Sequence, residues 1–227
     1  MKLNPLILFL FASVSALAQV KTEAPKKLVI INSYSQYLAS VKKNPNNQLV
    51  EITKAIPGIK LDIRYATKNN FMKQVMYGQA RAFARKPVVE SLKKVQGELN
   101  KKGLGLKIFD GYRPYAITVA FYKKASDKNF VANPNQGSKH NRGCAVDLTI
   151  INLKTGKEIP MPTPYDSFSA AAAAYYPNVS AEVKKNRDFF IALMKKYKLN
   201  VLENEWWHYD FQGWQNYALM DIPFEKL

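Results

Sequence analysis

Ser138-Lys139-His140-Asn141-Arg142-Gly143-Cys144-Ala145-Val146-Asp147-Leu148-Thr149-Ile150-Ile151 is the stretch from which the rest of this chain can be read. From Ala145 onward the residues are apolar and β-branched, the composition of a buried strand, and Gly143 closes the polar loop before it. Asp147 interrupts that strand. An ionised carboxylate there costs several kcal/mol unless a cation or hydrogen-bond donors meet it. Arg142 or Arg113 could supply an ion pair, and so could a divalent metal shared with His140.

The chain has 2 histidines, and the other, His208, lies in Glu205-Trp206-Trp207-His208. Taken singly, a histidine is more often a satisfied polar residue than a ligand, but these neighbours favour the ligand reading. His140, Asp147 and His208 together give the three nitrogen and oxygen ligands plus one open position expected of a catalytic zinc site, one ion per chain. Two imidazoles and a carboxylate suit zinc better than magnesium or calcium, while iron and manganese accept the same ligand types. Glu205 adds what a bare binding site lacks, a carboxylate that can take a proton during attack and hand it to the leaving amine. Residues three apart on a regular strand point to opposite faces. Glu205 is therefore expected in a turn or bulge preceding the strand that carries His208. Trp206 and Trp207 are walls of the cleft or core, at least one of them core, with Trp206 the substrate-facing candidate. Arg113, in Asp110-Gly111-Tyr112-Arg113-Pro114, is placed to stabilise an oxyanion or to pair with Asp110.

Outward from this centre, Leu61 to Tyr65 alternates as a short strand, and Pro87 to Asn100 is an amphipathic helix with Pro at its start and Gly103 beyond its end. A strand over 104–109 and a helix from Tyr115 to about Ala125 follow. Residues 126–143 form a long polar loop. A Pro-rich loop holds Asp166, a helix runs from about Ser180 to Tyr197, and Trp206 to Phe211 is a short aromatic strand. Helices and strands mix without regular βαβ alternation. The fold class is thus α+β, a mainly antiparallel central sheet flanked by helices with the zinc site at the sheet in a cleft.

Residues 1–18 have the layout of a secretory signal: Lys2, the apolar run Leu6 to Phe11, and Ala16-Leu17-Ala18 as a small-x-small cleavage site. The run is too short to span a bilayer. Removing 18 of 227 residues leaves 209, one domain with room for a real core. Residues 19–48 read as a polar basic leader with little commitment to a core, partly disordered, and residues 49–227 as the catalytic domain. One cysteine, Cys144, excludes an internal disulfide framework. The net charge of +17 comes from lysine doublets scattered along the chain, the pattern of a solvated surface. No nucleic-acid module is recognisable. An exported basic protein, periplasmic or secreted, would be drawn instead to anionic cell-envelope polymers.

The two-part pattern Ser-x-His-x-x-Gly-x-Ala-x-Asp and Glu-x-Trp-His, met by Ser138, His140, Gly143, Ala145, Asp147, Glu205, Trp207 and His208, resembles the D-alanyl-D-alanine dipeptidases of the VanX type. Similarity extends over Arg64 to Thr67, Asn70-Phe71, Asp110 to Pro114, Pro160-Met161 and Tyr165-Asp166. The resemblance implies zinc on His140, Asp147 and His208, Glu205 as general base and acid, and Arg113 as transition-state stabiliser. It also implies that Tyr65, Ser138 and Asp166 hold a small D,D-dipeptide, Asp166 at its ammonium group. The implied reaction is hydrolysis of D-Ala-D-Ala to two D-alanines. A zinc D,D-carboxypeptidase trimming peptidoglycan stems and an inactive cell-wall-binding module are the competing readings. The export signal departs from a dipeptidase that acts on a cytoplasmic precursor and points to recycling or scavenging. Cys144 stands at a variable position of the pattern and reads as a small buried residue.

Overall fold

The computed structural model describes residues 28–227; the signal-like segment and the start of the leader lie outside them. In chain order these residues form β1 (Ile30–Ile31), α1 (Tyr34–Lys43), β2 (Leu49–Glu51), α2 (Ile52–Ala55), β3 (Lys60–Leu61), β4 (Phe83–Arg85) and α3 (Lys86–Asn100). Then come β5 (Leu104–Asp110), α4 (Tyr115–Lys124), β6 (Ala145–Asn152), α5 (Ala181–Lys196), β7 (Leu199–Leu202), β8 (Glu205–Phe211) and β9 (Leu219–Met220). The main sheet has five strands in the order β3-β5-β6-β8-β7, and only the β3–β5 pair is parallel. The α+β class with a mainly antiparallel sheet is what the sequence pattern predicts.

β6 is the spine of that sheet. Ala145 to Ile151 are all buried, because β5 and β8 flank the strand and helices cover the faces. α3 supplies one cover: Pro87 stands in its first turn, and Val88, Leu92, Val95 and Leu99 recur at helical spacing on the buried side. Gln96 of α3 accepts the Leu106 N–H at 2.8 Å, pinning helix to sheet. The helix ends where Gly103 takes φ +69°, a left-handed conformation that glycine adopts at little cost.

Two expectations need correction. The predicted strand over Leu61 to Tyr65 pairs with β5 only at Lys60 and Leu61, and Arg64–Ala66 is a 3₁₀ turn. Ile63 and Tyr65 are buried as the alternation requires, but the chain peels off β5 where that strand itself shifts register between Ile108 and Asp110. The second concerns the leader. Its residues from 28 onward are part of the fold: β1 pairs with β9 near the far end of the chain, and α1 is capped by the Ser33 hydroxyl. Tyr37 of α1 is buried, and its hydroxyl accepts the Leu49 N–H at 2.8 Å. The apolar content of this segment is too sparse for a periodic signal, and its partners lie at residues 49 and 219–220, which no local pattern reveals.

Tyr37→Phe leaves a buried N–H without its acceptor, a loss of about 1–3 kcal/mol. Chemical denaturation should show that drop with the m-value preserved; a change below about 0.5 kcal/mol, as for an ordinary surface position, would restore the leader reading.

Candidate active site and metal centre

Asp147 of β6 and His208 of β8 are direct cross-strand partners, which brings their side chains together on one face of the sheet. His140 arrives from a 3₁₀ turn, His140–Arg142, that Gly143 terminates at φ +68°. A side chain at Gly143 would also meet the Leu49 side chain at 2.6 Å, so the turn needs glycine for space as well as conformation.

The protons of the two imidazoles follow from their outer partners. His140 Nδ1 lies 2.7 Å from the Gly111 carbonyl oxygen, which can only accept. His208 Nε2 lies 2.9 Å from Asp210 Oδ1. The inward nitrogens, His140 Nε2 and His208 Nδ1, are thereby the ones a metal would take, and they lie 3.1 Å apart. Asp147 Oδ1 is 3.3 Å from the first and 3.0 Å from the second, is buried, and accepts no hydrogen bond. Positive charge is needed where these three groups meet, and either a proton on His208 or a metal that replaces it supplies that charge. A tetrahedral ion with bonds of about 2.0–2.1 Å spaces its ligand atoms by about 3.3 Å, so the donor set fits a metal. The other Asp147 oxygen accepts the Tyr165 hydroxyl at 3.0 Å.

The electrostatics agree. Burial would raise the Asp147 carboxyl, but His140 and His208 outweigh it and hold the group well below the usual carboxylate range. Burial lowers His208, yet the Asp210 and Asp147 carboxylates carry it to about 10. A metal binding here would displace the second His208 proton.

Glu205 is the first residue of β8, and its Oε2 lies 3.8 Å from His208 Nδ1. The expected bulge is present but displaced. Val201 pairs with Tyr209 and the next residue, Leu202, pairs with Glu205, so β8 accumulates extra residues within the strand rather than before it. That irregularity overrides strict alternation and lets Glu205 and His208 face the same point. Desolvation pushes Glu205 up to about 7, with His208 opposing and Asp147 adding to the shift.

Arg113 donates from Nε and a terminal nitrogen to Asp110 Oδ2 at 2.9 and 2.6 Å, so the ion pair with Asp110 exists. The same guanidinium packs over Phe121 and Tyr65, stands 4.0 Å from Asp147 Oδ2, and lines the cavity above the ligands. Pairing thus positions Arg113 instead of competing with a role at the site. Arg142, the other partner considered for Asp147, turns away to the Tyr217 carbonyl and the Trp214 ring.

The cavity is about 280 Å³ and gathers His140, Asp147, His208, Glu205, Arg113 and Asp166. Tyr65 donates its hydroxyl to the Asp166 carboxylate at 2.9 Å. Asp166 sits at φ +59°, a conformation unfavourable for a non-glycine residue and frequent at functional positions. Desolvation, with Asp147 nearby, lifts its carboxyl to about 8. Ser138 also lines the cavity, its hydroxyl accepting the His140 N–H at 3.2 Å. Trp206 does not fit its expected place: it is buried away from the cavity, its indole N–H bonded to Thr163, and Trp207 lines the cavity instead. The irregular register of β8 decides which of the two indoles faces inward. Cys144 is buried outside the ligand set, its thiol pushed up to about 12 by burial.

Two contributors escaped the sequence reading. Asp210 lies two residues after His208, hence on the same strand face, and that spacing could have exposed it. Tyr165 reaches Asp147 from a loop; the similarity over Tyr165-Asp166 marks the position, but no local pattern shows the contact.

The sequence profile described as D-Ala-D-Ala dipeptidase, Peptidase_M15, matches residues 45–224. A D-alanyl-D-alanine dipeptidase of Escherichia coli (strain K12) is 28% identical over 177 residues, 78% of this chain and 91% of the relative. One from Enterococcus faecium is 28% identical over 177 residues, 68% of this chain and 86% of the relative. Among solved structures, the LdcB LD-carboxypeptidase aligns at 20% identity over 59% of this chain and 61% of its own, with a TM-score of 0.39. With the family profile spanning most of its length and the paired histidines and aspartate assembled at its centre, this chain is a hydrolase belonging to the Peptidase_M15 family of D-Ala-D-Ala dipeptidases.

Proposed function

We propose that the protein is an exported zinc D,D-dipeptidase that cleaves D-Ala-D-Ala to two D-alanines. The observation that carries the reading is the position of Glu205, a carboxylate set against the trio of ligand atoms and inside the same cavity as Arg113 and Asp166. Zinc would be held by His140 Nε2, His208 Nδ1 and Asp147 Oδ1. When bound, it supplies Lewis acidity, lowering the pKa of a water toward neutrality and polarising a peptide carbonyl.

Glu205 takes a proton from the attacking water and returns it to the amine that departs; an ordinary value raised to about 7 matches that double duty near neutral pH. Arg113, held rigid by Asp110, presents positive charge where the carbonyl oxygen becomes an anion. Asp166, steadied by Tyr65, receives the free ammonium group of the dipeptide. A volume of about 280 Å³ falls just under the range of drug-sized pockets, about 300–1,000 Å³, and favours a dipeptide over a peptidoglycan stem. Export rests on the layout of residues 1–18, and amino-terminal sequencing of the protein recovered from its native cell should begin at Gln19. Among the described residues no helix is long and apolar enough to cross a membrane.

Glu205→Ala should lower kcat on D-Ala-D-Ala by about 10²–10⁴-fold while zinc content stays near one per chain; unchanged turnover would remove Glu205 from the chemistry, and a wild type with no turnover would leave the binding-module reading. Exhaustive chelation should abolish activity and added zinc restore it, whereas full activity after chelation refutes the metal assignment. The pH dependence follows from the two raised carboxyls. Glu205 and Asp166 must both be ionised in the free enzyme, so kcat/KM should rise with pH until about 8, and it should fall as the substrate amine, near 7.7–8.0, loses its proton. Asp166→Asn should cost about 30-fold or more in kcat/KM and move the acid limb down toward the ionisation of Glu205 at about 7; an acid limb that stays in place places the ammonium elsewhere.

A further inference from the structure

The cavity wall remote from the ligand atoms is aromatic, and its outer part is built from two separate loops. Phe130 ends a 3₁₀ turn, Lys128–Phe130, in the long loop between α4 and the His140 turn. Phe168 lies two residues after Asp166. Their rings stack with centroids 4.9 Å apart and planes within 5°. Phe168 packs on Phe71 at 5.1 Å, Phe71 on Phe121 at 5.0 Å, and Phe121 lies under the Arg113 guanidinium at 4.7 Å. The result is a continuous wall from the oxyanion side round to the cavity rim. Asn204, next to Glu205 in the β7–β8 turn, donates to the Asn129 carbonyl at 3.2 Å and fixes the Phe130 turn to the catalytic edge.

We infer that the Phe130–Phe168 stack sets substrate length, closing the cavity beyond the amine and excluding peptides extended at that end. This rests on the dipeptidase reading, since it takes Asp166 as the ammonium site. A residue added beyond an amine held by Asp166 must occupy the space of the Phe168 ring and its partner. Both phenylalanines line the cavity and keep a partly exposed outer face. Removing either ring therefore widens the cavity at that end, and leaves the ligands, Glu205 and Arg113 in place. Stacked aromatic rings gain from each other, so either truncation undoes the closure.

The test compares kcat/KM for D-Ala-D-Ala with that for a tripeptide carrying one further residue at its amino end, for the zinc-loaded wild type, Phe130→Ala and Phe168→Ala. The wild type should prefer the dipeptide. Each alanine variant should raise the tripeptide-to-dipeptide ratio by about tenfold or more, and the double variant should gain less than the product of the two, because the pair acts as a unit. Phe130→Leu, which keeps an apolar group on the loop, should give a smaller gain of the same sign and serves if an alanine variant misfolds. An unchanged ratio in the folded variants overturns the inference while leaving the dipeptidase reading intact. A wild type that prefers the tripeptide overturns both. A wild type that hydrolyses neither peptide sinks the functional reading alone, and the ratio of calorimetric binding constants for the two peptides then reads the closure in the same variants.

Discussion

Asp147 sits between two inward-facing imidazole nitrogens, deep in a largely apolar strand. A carboxylate in that position is tolerable only with positive charge at the meeting point of the three groups, because an unpaired buried charge costs several kcal/mol. Much of the surrounding structure serves this constraint. The Gly111 carbonyl and the Asp210 carboxylate take the outward protons of the histidines, and the Lys139 ammonium, 2.5 Å from Asp210 Oδ2, balances that second carboxylate. Each outer partner fixes a ring orientation that a free imidazole would lose.

The same requirement explains why the Arg113 side is built as it is. Asp110 accepts the Arg113 guanidinium, the Tyr77 hydroxyl and the Gly111 N–H, so one buried carboxylate holds both the arginine and the backbone that orients His140. Gly111 has no side chain because a Cβ there would lie 2.5 Å from the Phe83 carbonyl oxygen. Positioning of Arg113 and of His140 is thus one construction, and a change at Asp110 would disturb both. β8 carries the opposite side. Its irregular pairing with β7 is the local cost of turning Glu205 and His208 toward one point.

Two carboxyls in the cavity titrate far from their ordinary values for different uses. Glu205 is raised beside the ligand trio, where the proposed reaction needs a proton taken and returned; Asp166 is raised beside Tyr65, where in the same proposal an ammonium would stabilise its charge. Under that proposal a ligand with a free amine would supply the positive charge that favours ionised Asp166, and selectivity for such ligands would follow from desolvation at that end of the cavity.

The sequence by itself singled out the trio His140, Asp147 and His208 that the fold brings together, the glutamate beside it and the class of fold, since a carboxylate in an apolar strand, two histidines in unusual settings and helical or alternating spacing are all local signals. It misjudged what depends on distant partners. Residues 28–48 are sparsely apolar, and only the register of β1 on β9 and the Tyr37–Leu49 hydrogen bond make them part of the core. Alternation over Leu61 to Tyr65 was real as burial but did not become a strand, because β5 shifts register beside it. Trp206 and Trp207 are equivalent as residues, and the bulge in β8 alone decides which indole meets the cavity. Tertiary structure settled these points because each turns on pairing between segments far apart in the chain, whereas the ligand trio carries its electrostatic requirement in the residues themselves.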